Sequence, residues 1–135
     1  MPDTFQLEIV TPEKMVVQDV AEEMQIPGKK GYLGILPGHA PLITELAVGE
    51  ITYRNADTTH HLSVAWGFAE VLPDKVTILA ETAERAEEVD VNRAQAAKER
   101  AEKRLASGST EEDFKEAGAD LKRAETRLEV AEKKK

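Results

Sequence analysis

The sequence contains no cysteine, and aromatic residues make up only 4% of its 135 positions. Without cysteine the chain can form neither a disulfide nor a thiolate metal site. The scarcity of aromatic residues argues against a stacking platform for single-stranded nucleic acid. A net charge of −8 also argues against a general DNA- or RNA-binding protein, which needs a basic surface. We therefore expect no nucleic-acid partner.

Long apolar runs are also missing. No stretch approaches the roughly 20 apolar residues that cross a bilayer. The N-terminal segment MPDTFQLEIV lacks the basic and apolar regions of a secretory signal. The sequence thus predicts a soluble chain without direct membrane insertion, and it leaves open docking on a membrane complex.

Charge divides the chain in two. Residues 1–89 hold 6 Lys and Arg against 15 Asp and Glu, a net charge of −9, whereas residues 90–135 hold 12 against 11, a net charge of +1. The hydrophobic pattern changes at the same place. We predict a β domain over residues 1–84, a linker over 85–89, and a helical hairpin over 90–135 with helices at about 90–106 and 110–133.

Alternating apolar and polar residues in the first part predict half-buried strands. The alternating segments are 5–9, 24–26, 51–53, 62–64 and 76–78, and turn residues separate them at 11–12, 55–57 and 72–74. Several short strands spaced by turns favour a sandwich or a barrel. Gly67, within AWGFAEV, predicts a bulge or a tight hairpin.

Two helices are predicted in the second part. Asp90 is a good N-cap for the first helix, whose apolar stripe is narrow and rich in alanine. Gly108 suits the position after its end, and Ser109 (in a capping box with Glu112) or Thr110 can cap the second helix. The stripes are Ala94, Ala97, Ala101 and Leu105 in the first helix, and Phe114, Ala117, Leu121, Ala124, Leu128 and Ala131 in the second. Such stripes bury little area, so the hairpin should be marginally stable and able to adopt two arrangements.

Four arginines are expected to converge at the open end of this hairpin. Arg93 and Arg123 lie 15 residues on either side of Gly108, which predicts that they sit at one level of an antiparallel pair. Arg127 and Arg100 lie on the same faces as these two. The cluster suits a polyphosphate, which guanidinium groups bind in bidentate fashion, or it is a solvated face paired with nearby glutamates.

The segment IPGKKGYLGILPGHAPLI, residues 26–43, packs four glycines and three prolines among apolar residues. This composition excludes a helix and predicts a tightly turned, extended path, as in a structural corner of a β domain. No Gly-Lys-Ser/Thr follows, so it is not a phosphate-binding loop.

This segment resembles the signature of the epsilon subunit of F-type ATP synthases, and the resemblance covers nearly the whole chain. It implies an N-terminal antiparallel β-sandwich followed by a C-terminal antiparallel α-helical hairpin. It also implies a noncatalytic central-stalk subunit that couples the gamma subunit to the c-subunit ring. Such a subunit is peripheral, at the cytoplasmic face of the cell membrane. The loop residues that would face the ring or gamma are Lys30, Gly31, Tyr32, Gly34 and His39. Lys29, Lys30 and Tyr32 stand where the family often carries acidic residues, and His39 is equally typical of a turn histidine bonded to the backbone.

Residues 89–94, VDVNRA, resemble the nucleotide-binding motif of bacillus-type epsilon subunits, with Val89 in place of the usual Ile or Leu. The resemblance implies bound ATP as a regulatory ligand that is not hydrolysed, and it leaves open whether magnesium accompanies it. The implied ATP-binding residues are Glu84, Val89, Asp90, Arg93, Ala94, Arg100, Arg123 and Arg127. With ATP the folded hairpin would permit hydrolysis; extended toward the alpha/beta catalytic head, it would inhibit it.

The remaining candidate residues do not predict a metal site or a catalytic site. His60 and His61 are neighbours in a predicted strand, so they face opposite ways and predict no metal site. Trp66 and Phe68 fit a core or an interface, and we favour the core. No nucleophile, base and orienting group form a legible set, so we assign no catalytic residue and disfavour a hydrolase. The rival functions are a free-standing adenine-nucleotide sensor and a helical-hairpin adaptor.

Overall fold

The computed structural model describes residues 3–107 and 110–133. The strands are β1 (Phe5–Val10), β2 (Met15–Ala21), β3 (Glu23–Gly28), β4 (Gly31–Ile35), β5 (Leu42–Leu46), β6 (Gly49–Asn55), β7 (Thr58–Val71) and β8 (Lys75–Arg85). A short 3-10 helix (Ala86–Glu88) then leads into α1 (Val91–Ser107) and α2 (Glu111–Ala131). This confirms the predicted fold class, a β-sandwich followed by an α-helical hairpin. Gly108 and Ser109, which we expected to end α1 and to cap α2, lie outside the described residues.

The strands form one hydrogen-bonded path, β2-β1-β8-β7-β5-β3-β4, in which β6 pairs with β3 and β7. The path folds over itself into the sandwich. Neighbouring pairs run antiparallel as predicted, but β1 runs parallel to β8, with Leu7 opposite Val76. Alternation in a sequence predicts which face a residue occupies and carries no information on strand direction, so it could not predict this pair.

The alternating residues form the core. Leu7, Ile9, Ile26, Ile51 and Ile78 are fully buried. Residues 26–43 follow the turned, extended path that their glycines and prolines predicted, because they contain the end of β3, all of β4 and the start of β5. The sequence did not predict β2, β4 and β5 as separate strands.

The long strand β7 bends at Trp66 and Gly67, whose φ angles are +52° and +130°. Ala65 faces Thr82 and Gly67 faces Ala80, so the register with β8 is the same on both sides of the bend and no residue is inserted. The predicted bulge or hairpin at Gly67 is therefore wrong. The bend lies where β7 stops pairing with β6 and begins pairing with β5, which allows one strand to serve both layers.

Side-chain caps fix the start of each helix, as predicted. Asp90 Oδ1 accepts the Arg93 N–H at 3.0 Å. Thr110 Oγ1 accepts the Asp113 N–H at 3.1 Å at the start of α2. Alanines Ala94, Ala101, Ala117 and Ala124 are buried along the seam between the helices, but Phe114 is 56% exposed and lies outside it.

The hairpin lies folded against the sandwich. Helix α2 packs on β6, β7 and the 3-10 helix, and it buries Thr126 and Val130 outside the alanine seam. Lys133 Nζ lies 2.7 Å from Glu50 Oε1, while Glu50 Oε2 lies 3.1 Å from His61 Nδ1. These contacts tie the end of α2 to two strands of the sandwich.

Replacing Gly67 with alanine is expected to destabilise the sandwich. A Cβ at this position would collide with the Leu79 carbonyl oxygen and lie 2.9 Å from Ala80 Cα, and its positive φ strains any L side chain. We expect the free energy of unfolding in urea to fall by about 2–4 kcal/mol. The control is Gly34→Ala, where a Cβ meets no atom within 4 Å. Equal stabilities of the two variants would contradict the bend in β7.

Candidate functional site

A groove of about 330 Å³ opens where the sandwich meets both helices. Its walls come from the β1–β2 turn, the end of β8, the 3-10 helix, the first turn of α1 and the last third of α2. The lining residues are Thr11, Glu13, Lys14, Glu81, Thr82, Ala83, Glu84, Glu88, Asp90, Arg93, Ala94 and Arg127. The groove therefore belongs to both modules of the chain.

Five of the predicted ATP-binding residues line this groove, namely Glu84, Asp90, Arg93, Ala94 and Arg127. Asp90 lies at the head of α1, and its cap fixes the first turn, from which Arg93 and Ala94 project. Ala94 is only 3% exposed, and it lines the groove with a side chain of a single methyl group.

The other three predicted residues lie elsewhere. Val89 is buried with 7% exposure, and Arg100 is exposed on α1, two turns beyond Arg93. Arg123 binds Asp120 at 2.8 Å, and its guanidinium carbon lies 5.4 Å from the centre of the Trp66 ring. The structure thus brings together part of the set, and the assignment of Arg100 and Arg123 stays a prediction.

The hairpin register explains why the four arginines do not converge as predicted. Counting from Gly108 placed Arg93 level with Arg123, whereas in the structure Arg93 shares the groove with Arg127. Helix α1 ends at Ser107 and α2 begins only at Glu111, so the hairpin is not symmetric about Gly108.

Carboxylates outnumber cations in the groove. The acidic residues are Glu13, Glu81, Glu84, Glu88 and Asp90, and the basic residues are Lys14, Arg93 and Arg127. Two of the three cations are already paired, since Arg127 Nε lies 2.6 Å from Glu84 Oε1 and Lys14 Nζ lies 3.0 Å from Glu88 Oε2. Among residues 3–107 and 110–133, Arg93 has no carboxylate within 4.0 Å. An anion in the groove would pair with Arg93 without displacing a carboxylate, whereas pairing with Lys14 or Arg127 would displace Glu88 or Glu84.

The pair of Lys14 and Glu88 was not predicted. The hydrogen bond from Lys14 is the main cause that lowers the pKa of the Glu88 carboxyl below its ordinary value, and a bond from the Arg85 N–H adds to it. Lys14 lies 74 residues before Glu88 and belongs to no recognisable motif. Only the folded sandwich, which places the β1–β2 turn beside the end of β8, reveals it.

The predicted docking loop lies on and around β4. Lys30 lies in the β3–β4 turn, Gly31 begins β4 and Gly34 is exposed on the strand. Tyr32 is 59% exposed, and its hydroxyl accepts the Glu50 N–H at 3.0 Å. His39 Nδ1 lies 2.7 Å from the Ala40 carbonyl oxygen, as in a turn histidine bonded to the backbone. The five residues therefore occupy one strand and its flanking turns.

An apolar row crosses the outer face of the sandwich. Met15 faces Val10 on β1, Val10 faces Leu79 on β8, and Leu79 faces Phe68 on β7. Met15, Leu79 and Phe68 are 46%, 55% and 54% exposed. The favoured core position of Phe68 is therefore wrong. We call these four residues the apolar row.

Neither a metal site nor a membrane span is found in the part of the chain that the structure describes. Within residues 3–107 and 110–133, no three His, Cys, Asp or Glu side chains are grouped to hold an ion. None of the helices in these ranges carries an apolar stretch long enough to cross a bilayer. His61 contacts Glu50, and His60 stacks on Tyr53 with ring centres 4.7 Å apart.

Comparison with known proteins identifies the family. Residues 4–86 match the family model described as ATP synthase, Delta/Epsilon chain, beta-sandwich domain, and residues 87–132 match its long alpha-helix domain. The chain belongs to the ATP synthase epsilon-chain family. It is 71% identical over 111 residues to the ATP synthase epsilon chain of Koribacter versatilis, which is 82% of this chain and 78% of that one. It is 48% identical over 134 residues to the epsilon chain of Solibacter usitatus, covering 99% and 100% of the two chains.

Solved structures share the epsilon-chain fold. A chain of the Euglena gracilis mitochondrial ATP synthase OSCP/F1/c-ring structure matches with a TM-score of 0.82 at 24% identity, over 97% of this chain and 82% of that one. A chain of the Tetrahymena thermophila mitochondrial ATP synthase central stalk/c-ring structure matches with a TM-score of 0.66 at 11% identity, over 94% and 96%. The epsilon chain is a noncatalytic subunit of F-type ATP synthase.

Reversing the charge of Arg127 is expected to loosen the docked hairpin. Arg127→Glu would place a second carboxylate beside Glu84, and the lost attraction and new repulsion should weaken docking by about 1 kcal/mol. Trp66, the single tryptophan, lies under Arg123 and reports docking. We expect acrylamide to quench its fluorescence more strongly in Arg127→Glu, and less so in the swapped pair Glu84→Arg with Arg127→Glu. Unchanged quenching in the single variant would show that this ion pair does not hold the hairpin.

Proposed function

We propose that this epsilon chain is a regulatory subunit of the central stalk, whose docked hairpin binds ATP in the groove between the sandwich and the helices. The composition of the groove carries this proposal. Glu84 comes from the sandwich, Arg93 from α1 and Arg127 from α2, so the site exists only while the hairpin is docked. ATP would therefore favour the docked state by its higher affinity for that state.

The size of this effect follows from mass action. A ligand at a concentration 100 times its dissociation constant stabilises the state that binds it by about 2.7 kcal/mol. Surface ion pairs such as those that hold α2 are each worth about 0.2–1 kcal/mol. ATP would thus contribute as much as these ion pairs together, which suits a switch controlled by nucleotide concentration.

The residues in the groove have distinct roles in this proposal. Arg93 and Arg127 donate to phosphate oxygens, for which a guanidinium group is well shaped. Glu84 and Asp90 accept hydrogen bonds from the adenine amino group or the ribose, and Ala94 leaves space for the base. The nucleotide acts as a signal and is not hydrolysed. Arg100 and Arg123 would join the site only through a shift of the helices, and no magnesium ligand is assigned.

Without ATP a larger fraction of the molecules would have the hairpin released from the sandwich. The released helices would extend along the gamma subunit toward the alpha/beta catalytic head and inhibit ATP hydrolysis. The narrow alanine seam supports the extension of the helices, because separating α1 from α2 would expose little apolar area.

The sandwich would connect the rotor parts at the cytoplasmic face of the membrane. The apolar row would bind the gamma subunit, since contiguous apolar side chains on a sheet face mark protein interaction sites. The docking loop with Lys30, Gly31, Tyr32, Gly34 and His39 would meet the c-subunit ring. The apolar row lies on strands β1, β2, β7 and β8 of the sandwich, whereas Tyr32 of the docking loop also lines a groove with Leu121 and Lys122 of α2.

Isolated protein is expected to bind ATP in a calorimetric titration. Arg93→Ala and Arg127→Ala should each weaken binding at least tenfold, because each removes a charge-assisted hydrogen bond worth roughly 1.5–3 kcal/mol. The matched control is Arg104→Ala, since Arg104 binds Asp120 at 3.2 Å on the hairpin and does not line the groove. Wild-type protein that binds no ATP would favour the adaptor function instead.

Substitution in the apolar row is expected to separate the protein from the gamma subunit. Phe68→Glu places a charge at one end of the row and should abolish co-purification with gamma, while leaving ATP binding intact because Phe68 lies outside the groove. Thr59→Glu, at another exposed position of the same strand, is the control. ATP binding by a protein that never associates with gamma would indicate a free-standing nucleotide sensor.

A further inference from the structure

The β1–β2 turn holds Lys14 at the edge of the groove. Thr11 Oγ1 accepts the N–H groups of Glu13 and Lys14, both at 3.3 Å, and the Thr11 N–H donates to the Lys14 carbonyl oxygen at 2.9 Å. The turn backbone is thus fixed. The lysine side chain is 57% exposed, and its ammonium group lies 3.0 Å from Glu88 Oε2.

We propose that Lys14 is the phosphate-binding residue that the sandwich contributes to this site. Glu88 is its counter-ion in the absence of ligand, and a phosphate oxygen of ATP replaces the Glu88 carboxylate as the partner of Lys14. The inference rests on the proposed binding of ATP and adds a residue that neither the motif at 89–94 nor the arginine spacing contains. No bond is made or broken, because the ammonium group exchanges one oxygen partner for another.

The two ion pairs of the groove differ in how easily they exchange. Arg127 and Glu84 lie 2.6 Å apart and are 24% and 32% exposed, whereas Lys14 and Glu88 are 57% and 38% exposed. The more exposed pair is more strongly screened by water and less costly to separate. Lysine also carries its charge on a flexible stem, which can swing while the turn stays in place.

The Glu88 carboxylate has a second partner besides Lys14. Its Oε1 accepts the Arg85 N–H at 3.2 Å while its Oε2 faces Lys14. When Lys14 turns to a phosphate, the carboxylate keeps its backbone partner and stays in place beside the 3-10 helix. The lysine then joins Arg93, which has no carboxylate partner in the described part of the chain, on one phosphate chain.

This arrangement would make the nucleotide a bridge between the modules. Lys14 belongs to the sandwich, whereas Arg93 and Arg127 belong to the hairpin. Cations on both sides of one phosphate chain pull the modules together, so Lys14 would raise the affinity of the docked state and contribute nothing in the extended state.

Calorimetric titration of the full chain with ATP and with adenosine tests the proposal. We expect Lys14→Ala to weaken ATP binding roughly tenfold, as for loss of one charged hydrogen bond, and to leave adenosine binding unchanged. Glu88→Gln should strengthen ATP binding a few-fold, because the competing charge is gone. Lys75→Ala is the matched control, since Lys75 is also an exposed lysine paired with a glutamate, Glu8, and does not line the groove.

The contrary outcomes distinguish a failure of the role of Lys14 from a failure of the proposed ATP binding. ATP binding that Arg93→Ala weakens and Lys14→Ala leaves equal to that of Lys75→Ala would overturn the role of Lys14 and leave the proposed function standing. Equal losses for ATP and adenosine would also overturn it, because the lysine would then act on the fold of the groove and not on phosphate. Wild-type protein that binds no ATP would overturn both.

Discussion

The docked hairpin depends on the contact between α2 and the sandwich, which buries Thr126 and Val130 and includes a few electrostatic contacts. Arg127 pairs with Glu84, Lys133 pairs with Glu50, and Arg123 lies over Trp66. Exposed or half-exposed contacts of this kind are each worth about 1 kcal/mol or less, so together they add only a few kcal/mol to the burial of the small patch around Val130. The sandwich core, by contrast, buries whole isoleucine and leucine side chains and does not depend on the hairpin. The chain thus combines a stable module with one whose position small energies can change.

The sequence predicted the fold class because its strongest signals are local. Alternation marked the core strands, the cap at Asp90 marked the start of α1, and the glycines and prolines of residues 26–43 marked an extended, turned path. Features that depend on distant pairing were missed, such as the parallel contact of β1 with β8 and the outward position of Phe68. At Gly67 the sequence signalled an irregularity correctly, but only the pairing of β7 with two different neighbours shows that it is a bend without an inserted residue.

In the candidate site, too, the sequence predicted the residues placed by local structure and missed those placed by distant pairing. Asp90, Arg93 and Ala94 share one turn of helix, so their positions follow from the cap and from helical spacing alone. Which residue of α2 faces them depends on the register of the hairpin, and a shift of one turn exchanges Arg123 for Arg127. Lys14 and Glu88 meet only because β1 and β8 are neighbours in the sheet, which no local pattern encodes.

The carboxylates of the groove explain how such a site can regulate. Glu84 and Glu88 neutralise cations that would otherwise repel one another, so the hairpin can dock without a ligand. The same carboxylates must give way to phosphate, and the affinity for ATP is therefore reduced by the free energy of the pairs that are displaced. A weak exposed pair lowers the affinity little, and a strong buried pair lowers it greatly. Glu88 is the one member of these two pairs that does not touch the nucleotide in this scheme, so a substitution of Glu88 would shift the ATP concentration at which the hairpin docks without altering a residue that binds ATP.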